Sequence, residues 1–353
     1  MGYRSLGRTG LLVSELCLGT MTFGGDGFWR AIGAQPQEVA NEIVARSIDA
    51  GINFIDTANV YSYGMSEEIL GKAIKPYNRA DLIIATKVRG RMSDETNNVG
   101  LTRHHIMNSV EDSLRRLDTD YIDLYQIHGF DSVVPLDETL RALDDVVRQG
   151  KVRYIGASNL AAWQLMKALG ISDKHGLARF ESTQSYYTIA SRDLEREVIP
   201  LVLDQNVGVM VWSPLAGGLL TGKFNRDGSG PDGSRRKDFD FPPINHDRAF
   251  DSVDVMRDIA AEHDATIPQI AIAWLLHQPG VSSVIIGAKR MEQLEDNLKA
   301  PFIKLSDEQL QRLDEVSQLP PEYPGWMIGF QGSDRVAQVE AKLEDETAEP
   351  AGA

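Results

Sequence analysis

The sequence predicts an α/β protein, a closed (β/α)8 barrel of the TIM type, and two observations carry that prediction. Eight short apolar segments alternate with amphipathic segments of helical period along 353 residues. The apolar segments are dense rather than alternating, as expected for parallel strands that are covered on both faces. An open doubly wound sheet is the alternative that the same alternation allows. No break in composition divides the chain, so we expect one domain over residues 1–335 and a flexible acidic tail over 336–353.

The predicted strands contain runs of Ile, Val, Leu and aromatic residues. In chain order they are Glu15–Met21, Asn53–Ala58, Leu82–Val88, Ile122–His128, Val152–Asn159, Ser182–Tyr187, Gly208–Leu215 and Ser283–Ala288. Helical segments lie between them. In "LTRHHIMNSVEDSLRRLD" the apolar residues recur at helical spacing, and "PLDETLRALDDVVRQGK" stops at Gly150, a usual residue after the end of a helix. Strand followed by helix, repeated eight times, is typical of a closed parallel barrel.

Three segments fall outside this repeat. The N-terminal "MGYRSLGRTGLLVSEL" predicts a β-hairpin that plugs the base of the barrel. Long loops follow two strands, one at Gly24–Gln35 and a polar one, rich in glycine and proline, at Lys223–Asp247. Loops of this length are usually functional or mobile. The second loop contains "GSGPDG", a match to G-x-G-x-x-G, but it neither follows a strand nor opens a helix, so we expect a flexible loop rather than a dinucleotide site.

Composition excludes several classes of protein. The net charge of −15 and the pI of about 4.9 disfavour a nucleic-acid-binding surface and an anionic membrane surface. No apolar run approaches the ~20 residues that span a bilayer, and the N-terminus lacks the apolar core of a signal peptide. Cys17 is the single cysteine, which rules out internal disulfides. We therefore expect a cytoplasmic protein with an inert core thiol at Cys17.

Polar residues occupy the C-terminal tips of the predicted strands, the end of a parallel barrel where active sites are built. In order they are Asp56, Lys87, His128, Ser158, Asn159, Gln184, Trp212 and Ser213. Singly, each has an ordinary explanation: a turn-forming aspartate, a lysine reaching solvent, a hydrogen-bonded histidine. Because they stand on successive tips of one barrel, we interpret them as one functional site.

Tyr61 follows the first of these tips by five residues and can reach back over it. A free tyrosine has a pKa of about 10, too high for easy proton exchange at neutral pH. The ammonium of Lys87 would lower that pKa, Asp56 would keep Lys87 charged, and His128 would hydrogen-bond the substrate oxygen. Such a group suits the protonation of an alkoxide as it forms from a carbonyl. That reaction requires a hydride donor.

Eight segments then show a resemblance to a known family. They are "LGTMTFGG", "GINFIDTANVYSYGMSEEILGKAI", "IIATKV", "IDLYQIHGFD", "GKVRYIGASN", "TQSYYT", "WSPLAGGLLTGK" and "IIGAKRMEQLEDNL". In these the chain resembles the aldo-keto reductases, most closely their bacterial and channel β-subunit-like branch. The resemblance implies a (β/α)8 barrel, reversible NADPH-linked carbonyl reduction and a catalytic tetrad of Asp56, Tyr61, Lys87 and His128, with Tyr61 as the proton donor.

The resemblance also implies where NADPH or NADP⁺ binds. Ser158, Asn159 and Gln184 would hold the nicotinamide carboxamide, and Trp212 would stack on the ring. Lys289 and Arg290 would bind the 2′-phosphate, which favours NADPH over NADH. The full set of implied cofactor contacts is Thr20, Met21, Asp56, Ser158, Asn159, Gln184, Trp212, Ser213, Pro214, Leu215, Gly217, Lys223, Gly287, Lys289, Arg290, Gln293 and Asn297. No metal is implied.

The expected substrate is a small carbonyl compound or alcohol, in a pocket formed by Phe28, Trp29, Tyr61 and His128. Trp326 is a further aromatic candidate for the mouth of this pocket. An alternative is a regulatory protein, similar to channel β-subunits, that binds the cofactor and turns over slowly; with no long partner-binding extension at the N-terminus, we expect the enzyme. A Schiff-base aldolase using Lys87 is disfavoured, because Asp56 and the nucleotide-binding segments would have no role. The sequence leaves an oligomer possible.

Overall fold

The structure is a computed structural model, and it describes residues 1–25, 27–232, 234, 236, 239–333, 335 and 336. The chain forms two compact units, Met1–Ser317 and Gln318–Ala353. In the second unit a helix runs through 325–333, and the ring of Tyr323 lies edge-on to that of Trp326. The predicted tail, 336–353, lies outside the described residues apart from Val336, so the predicted domain boundary stays a prediction.

A closed parallel barrel forms the centre of the first unit, as predicted. Within the described residues it has eight strands, β3 to β10, preceded by an antiparallel hairpin of β1 and β2. The barrel closes where Val284 of β10 pairs with Leu16 of β3. The strands are β1 (Tyr3–Ser5), β2 (Leu12–Ser14), β3 (Leu16–Gly19), β4 (Phe54–Asp56), β5 (Ile83–Val88), β6 (Ile122–Ile127), β7 (Val152–Ser158), β8 (Phe180–Tyr186), β9 (Gly208–Trp212) and β10 (Val281–Ile286).

Helices alternate with the barrel strands along the chain. The α-helices are α1 (Gln37–Asp49), α2 (Met65–Ile74), α3 (Arg103–Leu117), α4 (Leu136–Arg148), α5 (Ala162–His175), α6 (Leu194–Gln205), α7 (His246–Glu262), α8 (Ile267–His277), α9 (Met291–Asn297) and α10 (Asp307–Ser317). Short 3₁₀ turns occupy Gly27–Ala31, Tyr61–Gly64, Arg79–Asp81, Ala216–Thr221 and Ala300–Phe302. Of the helices in the described residues, none has the length and apolarity to cross a membrane.

Local sequence explains where these helices begin and end. At the start of α3 the side chain of Thr102 accepts a hydrogen bond from the amide of His105, and the helix ends at Asp118 in a left-handed conformation. At the start of α8, Thr266 and Gln269 form a capping box. Of the apolar residues at helical spacing in α3, Ile106, Val110 and Leu117 are buried in the core, and Leu114 is partly buried against it.

The hairpin closes the base of the barrel, as predicted. Leu6 and Val13 pack in one apolar cluster with inward side chains of the strands, among them Cys17. Gly7, between the two hairpin strands, has φ +58°, and a Cβ there would lie 2.3 Å from the carbonyl oxygen of Glu181 at the start of β8. The hairpin turn can therefore approach the strand backbone only because this residue is glycine.

Strand residues alternate between the inside of the barrel and the layer beneath the helices. Phe54, Ala85, Leu124 and Met210 belong to the inner cluster, whereas the residues next to them in sequence pack under the helices. Cys17 is fully buried in the inner cluster, and burial, then the Asp56 carboxylate, raises the pKa of its thiol. Both properties agree with the predicted inert thiol.

Candidate active site

The two-residue period of the strands brings the polar residues together. Asp56 stands two residues after Phe54, Lys87 two after Ala85, and Trp212 two after Met210. They therefore point into the barrel one layer closer to the C-terminal ends of the strands than the apolar plug. A residue not singled out from the sequence, Gln126, stands two after Leu124 and joins the same layer.

Lys87 is the centre of this layer and is fully buried. Its Nζ donates to Asp56 Oδ2 at 2.5 Å, to the carbonyl oxygen of Thr57 at 2.8 Å and to Tyr61 Oη at 3.2 Å. Burial opposes the charge on Lys87, but Asp56 and then Tyr61 outweigh it and raise the pKa of the ammonium. The three predicted residues thus form one chain of charge-assisted hydrogen bonds that ends on a phenol oxygen.

His128 directly follows β6, and its ring lies edge-on to that of Tyr61, with centroids 5.7 Å apart. Burial, then the charges of Lys87 and Arg89, holds the pKa of the imidazole well below its usual range. The ring is therefore neutral at physiological pH and carries one N–H donor and one acceptor nitrogen. The predicted tetrad is brought together at the mouth of the barrel.

The loop that carries Tyr61 has an unusual backbone. Ser62, Tyr63 and Gly64 all have positive φ, at 48°, 54° and 100°. The hydroxyl of Ser62 accepts from the amide of Gly25 at 2.9 Å and donates to the carbonyl oxygen of Phe23 at 3.2 Å. Three consecutive left-handed residues are costly, so the loop depends on these bonds to the segment after β3.

Ser158 at the end of β7 pairs with Gln184 of β8, and Asn159 follows directly after β7. Ser158 Oγ donates to the Gln184 carbonyl oxygen at 2.9 Å, and Asn159 Nδ2 donates to Ser158 Oγ at 2.9 Å and to the His128 carbonyl oxygen at 3.2 Å. Asn159 Oδ1 accepts from Trp212 Nε1 at 3.0 Å. This last bond fixes the plane of the indole at the mouth.

Gln126 is the main feature that sequence reasoning missed. It is fully buried, and its Nε2 donates to Asp56 Oδ1 at 3.0 Å; Gln184 Nε2 donates to the same oxygen at 2.8 Å. A signal existed in the sequence, because the amide interrupts the apolar run "IDLYQIH" at an inward position. The two oxygens of Asp56 thus accept three hydrogen bonds, from Lys87, Gln126 and Gln184.

The residues predicted for the rest of the nucleotide lie along the loops after β9 and β10. The amide of Gly217 donates to Ser213 Oγ, and the amide of Gly218 donates to the Leu215 carbonyl oxygen, so neither amide is open to a phosphate. Pro214 is buried, whereas Gly287 is exposed and a Cβ there would meet open space.

Basic residues lie on the same loops. Partial burial, then the charge of Arg290, lowers the pKa of Lys223, so two cations from different loops lie near one another. No ion pair involves Lys223 or Arg290 within the described part of the chain. Such an arrangement suits an anionic group.

Three further positions have defined geometry. The amide of Lys289 donates to Gln293 Oε1 at 2.9 Å, and Asn297 is buried at the end of α9. Thr20 is buried, and its hydroxyl is hydrogen-bonded to that of Ser66 and donates to the carbonyl oxygen of Asp56, which supports the end of β4. Met21 beside it is half-buried.

Aromatic rings surround the mouth. Trp29 lies edge-on to Tyr61 at a centroid distance of 5.3 Å, and Phe28 lies edge-on to Trp29 at 5.7 Å. Phe28 also meets Phe239 at 5.5 Å, so the two long loops contact one another. The predicted pocket residues Phe28 and Trp29 are therefore placed beside the tetrad, and Phe239 adds to them from the second loop.

Known proteins resemble this chain over most of its length. A family model described as the aldo/keto reductase family matches residues 15–318. The chain belongs to the aldo/keto reductase family. It is 38% identical over 340 residues to an uncharacterized oxidoreductase of Bacillus subtilis, covering 92% of this chain and 100% of that protein. Two other relatives are a protein of Arabidopsis thaliana named "probable voltage-gated potassium channel subunit beta" (36%; 92% and 99% covered) and the versiconal hemiacetal acetate reductase of Aspergillus parasiticus (35%; 92% and 99% covered).

Membership of the aldo/keto reductase family supports oxidoreductase activity for this chain and suggests that its substrates are small carbonyl compounds. Members of the family generally use NADH or NADPH. The groups present fit such a nucleotide: the acceptor atom Gln184 Oε1 has no partner among the described residues, and the cations of Lys223 and Arg290 are near one another. Phe241 lies parallel to the Trp212 indole at 6.0 Å, so a ring bound on the indole would contact or displace it.

Proposed function

We propose that this chain is an NADPH-dependent oxidoreductase that reduces aldehydes or ketones to alcohols in a reversible reaction. The observation that carries the proposal is the chain of hydrogen bonds from Asp56 through Lys87 to the Tyr61 hydroxyl, 3.2 Å from the Lys87 ammonium. Among Asp56, Lys87 and Tyr61, the phenol is the group whose proton can leave without creating a buried unpaired charge, because the adjacent ammonium compensates the phenolate.

Each residue has one task in the proposed reaction. A bound nicotinamide nucleotide would be the hydride donor for the carbonyl carbon. Tyr61 gives its hydroxyl proton to the carbonyl oxygen, so that an alcohol leaves and a phenolate remains. Lys87 stabilises the phenolate, and Asp56 keeps Lys87 charged and fixed. His128, neutral because its pKa is lowered, donates an N–H to the substrate oxygen and sets its direction. Tyr61 regains its proton from solvent before the next turnover.

The nucleotide would lie between the tetrad and the loops after β9 and β10. Gln184 and Asn159 would contact the carboxamide, and Trp212, oriented by its bond to Asn159, would stack on the ring. Lys223 and Arg290, with Lys289, would neutralise the phosphates, including the 2′-phosphate that distinguishes NADPH from NADH. Met21, Gln293 and Asn297 remain candidate contacts to the rest of the nucleotide.

The substrate would enter between the two long loops. Phe28, Trp29 and Phe239 present apolar ring surfaces within ring-contact distance of one another, next to Tyr61. A carbonyl compound with an apolar, preferably cyclic, body would be held by these rings with its oxygen directed at Tyr61. The name of the Aspergillus parasiticus relative describes a reductase.

The test is turnover of NADPH with a panel of aldehydes, ketones, quinones and sugars, followed by the loss of NADPH absorbance. Tyr61→Phe should lose catalysis by about 10²–10⁴-fold, the usual contribution of a general acid, while it still binds NADPH. Tyr63→Phe is the matched control, because Tyr63 lies two residues away and is half exposed. Near-normal turnover by Tyr61→Phe would remove Tyr61 as the acid.

A regulatory role is the second candidate, and the 36% identity to a named potassium channel β-subunit favours it. A regulatory protein would hold NADPH and exchange it slowly. The two candidates separate when a single turnover of bound NADPH is compared with steady-state turnover on the same substrate. Equal rates support the enzyme, whereas a fast single turnover followed by very slow cycling supports the regulatory role.

A further inference from the structure

Gln126 fills a place in the barrel that apolar residues would ordinarily fill. It pairs with Lys87 of β5 on one side and with Gly156 of β7 on the other. A Cβ at Gly156 would lie 3.1 Å from Cγ of Gln126 and 2.6 Å from the Ser182 hydroxyl. Glycine at this point therefore leaves the space in which the Gln126 side chain reaches Asp56.

Three side chains form a closed ring of hydrogen bonds beside the catalytic lysine. Gln126 Nε2 and Gln184 Nε2 both donate to Asp56 Oδ1, at 3.0 and 2.8 Å, and Gln184 Nε2 makes a longer contact of 3.4 Å to Gln126 Oε1. Asp56 Oδ2 is taken by Lys87. All three members are at least 97% buried, since Gln184 is the most exposed at 3%.

The chemistry of this ring fixes which way both amides point. An ionised carboxylate only accepts hydrogen bonds, so both glutamines must turn their NH₂ groups towards Asp56. Gln126 then presents its oxygen to the second N–H of Gln184. With both of its N–H groups directed inward, Gln184 leaves Oε1 without a partner among the described residues.

The polar side-chain atoms of Ser158 and Asn159, at the end of the neighbouring strand β7, already have hydrogen-bond partners. Ser158 Oγ and Asn159 Nδ2 are bonded to each other and to backbone carbonyl oxygens, and Asn159 Oδ1 accepts from Trp212. In this group Gln184 Oε1 is the atom with no hydrogen bond among the described residues, and it is an acceptor. It therefore suits a ligand that brings an N–H, such as the amide NH₂ of a nicotinamide.

We propose that Gln126 is a positioning residue that, through Asp56, orients the Gln184 amide so that its oxygen receives the carboxamide NH₂ of the cofactor. The proposal rests on the proposed function for the identity of the cofactor. It adds a residue that touches neither cofactor nor substrate but links the charge of the tetrad to recognition of the nicotinamide. Removing the Gln126 amide takes one acceptor from Gln184 and one donor from Asp56, so the Gln184 amide is free to turn.

The test compares NADP⁺ with its 3-acetylpyridine analogue, which differs only in having a methyl group in place of the amide NH₂. Dissociation constants are measured by titration calorimetry. The wild-type protein should bind NADP⁺ more tightly than the analogue. Gln126→Leu should increase the dissociation constant of NADP⁺ by about fivefold, the usual contribution of one hydrogen bond, and leave that of the analogue unchanged. The preference for NADP⁺ over the analogue is then lost.

Two variants make the comparison specific. Gln309→Leu removes a buried amide that donates to a carboxylate, Glu262, outside the barrel interior, and it should keep the wild-type preference. Gln126→Glu should also keep it when the new carboxyl group is protonated, because it then donates to Asp56 and accepts from Gln184 as the amide does. Should Gln126→Leu fail to fold, Gln126→Asn, whose amide stops short of Asp56, carries the same expectation.

Each result decides the matter. Equal weakening of both nucleotides by Gln126→Leu, or no weakening, overturns the inference and leaves the proposed function intact. Equal binding of both nucleotides by the wild-type protein also overturns the inference and leaves the proposed function intact, because Gln184 then makes no hydrogen bond to the carboxamide NH₂. If the wild-type protein binds neither nucleotide, the proposed function fails and the inference fails with it.

Discussion

Asp56→Asn tests whether the buried ion pair at the centre of the site is what keeps Lys87 charged. Lys87 is fully buried and Asp56 is 2% exposed, with 2.5 Å between Nζ and Oδ2. Removing one charge of such a pair leaves the other buried and uncompensated, which usually costs about 3–5 kcal/mol in the free energy of unfolding. The asparagine keeps the size of the side chain, so the loss comes from charge rather than from a cavity.

The pH dependence of the free energy of unfolding gives the sharper test, because the shift in the pKa of Lys87 has opposite signs in the wild-type protein and in Asp56→Asn. In the wild-type protein the pKa of Lys87 is raised, so its stabilising contribution is complete below the unfolded pKa of about 10.4 and is lost only as the pH rises through the folded value. In Asp56→Asn, burial acts without the carboxylate and lowers the pKa of Lys87. Between the lowered pKa of the folded state and the pKa of about 10.4 in the unfolded state, Lys87 binds a proton in the unfolded chain but not in the folded one. The free energy of unfolding of the variant therefore increases as the pH rises through this range.

The assay is urea denaturation of both proteins at a series of pH values between neutral and the unfolded pKa of lysine. Asp112→Asn is the control, since it breaks an exposed pair with Arg115 and should cost no more than about 1 kcal/mol. Lys87→Met in the Asp56→Asn background should recover most of the loss. A variant whose unfolding free energy does not rise relative to that of the wild-type protein over this pH range would refute the reasoning, because Lys87 would then be charged without Asp56.

Three further predictions concern the loop of Tyr61, the indole and the phosphate site. Gly64→Ala should lower the free energy of unfolding by about 1–3 kcal/mol, because φ is +100° and the new Cβ would lie 2.7 Å from Arg116 Cδ. Gly170→Ala, in the middle of α5 with open space around it, should instead gain about 0.5–1 kcal/mol, and thermal or urea unfolding of both variants checks the contrast. Trp212→Phe removes the indole donor to Asn159 and should weaken NADPH binding about two- to tenfold by fluorescence titration; an unchanged affinity would mean that the bond does not orient the ring. Arg290→Gln, alone or with Lys289→Gln, should weaken NADPH far more than NADH, and equal losses for the two nucleotides would contradict the 2′-phosphate assignment.

The barrel itself could be predicted from the sequence, because apolar runs and helical periods are local properties. The strand tips could also be read, since each polar residue directly ends an apolar run, as Asp56 and His128 do. The hairpin at the base follows from the alternation around "GRTG". In each case the signal lies within a few residues of the element that it predicts.

The tertiary structure decided which polar atoms meet. Gln126 and Gln184 are 58 residues apart, and the sequence does not show that both donate to one oxygen of Asp56. Likewise, the sequence does not show that the amides of Gly217, a predicted cofactor contact, and of Gly218 are hydrogen-bonded within their own loop. The meeting of Phe28 with Phe239 joins two loops more than 200 residues apart.

Sequence by itself therefore determined the repeating architecture and the residue types at its mouth, because period and composition act at short range. Only closure of the barrel decided the partners of each side chain, since it brings strands from distant parts of the chain to the same layer. Hydrogen-bond direction follows from those partners: the orientation of the Gln184 amide depends on a carboxylate and a second amide that no local pattern links to it.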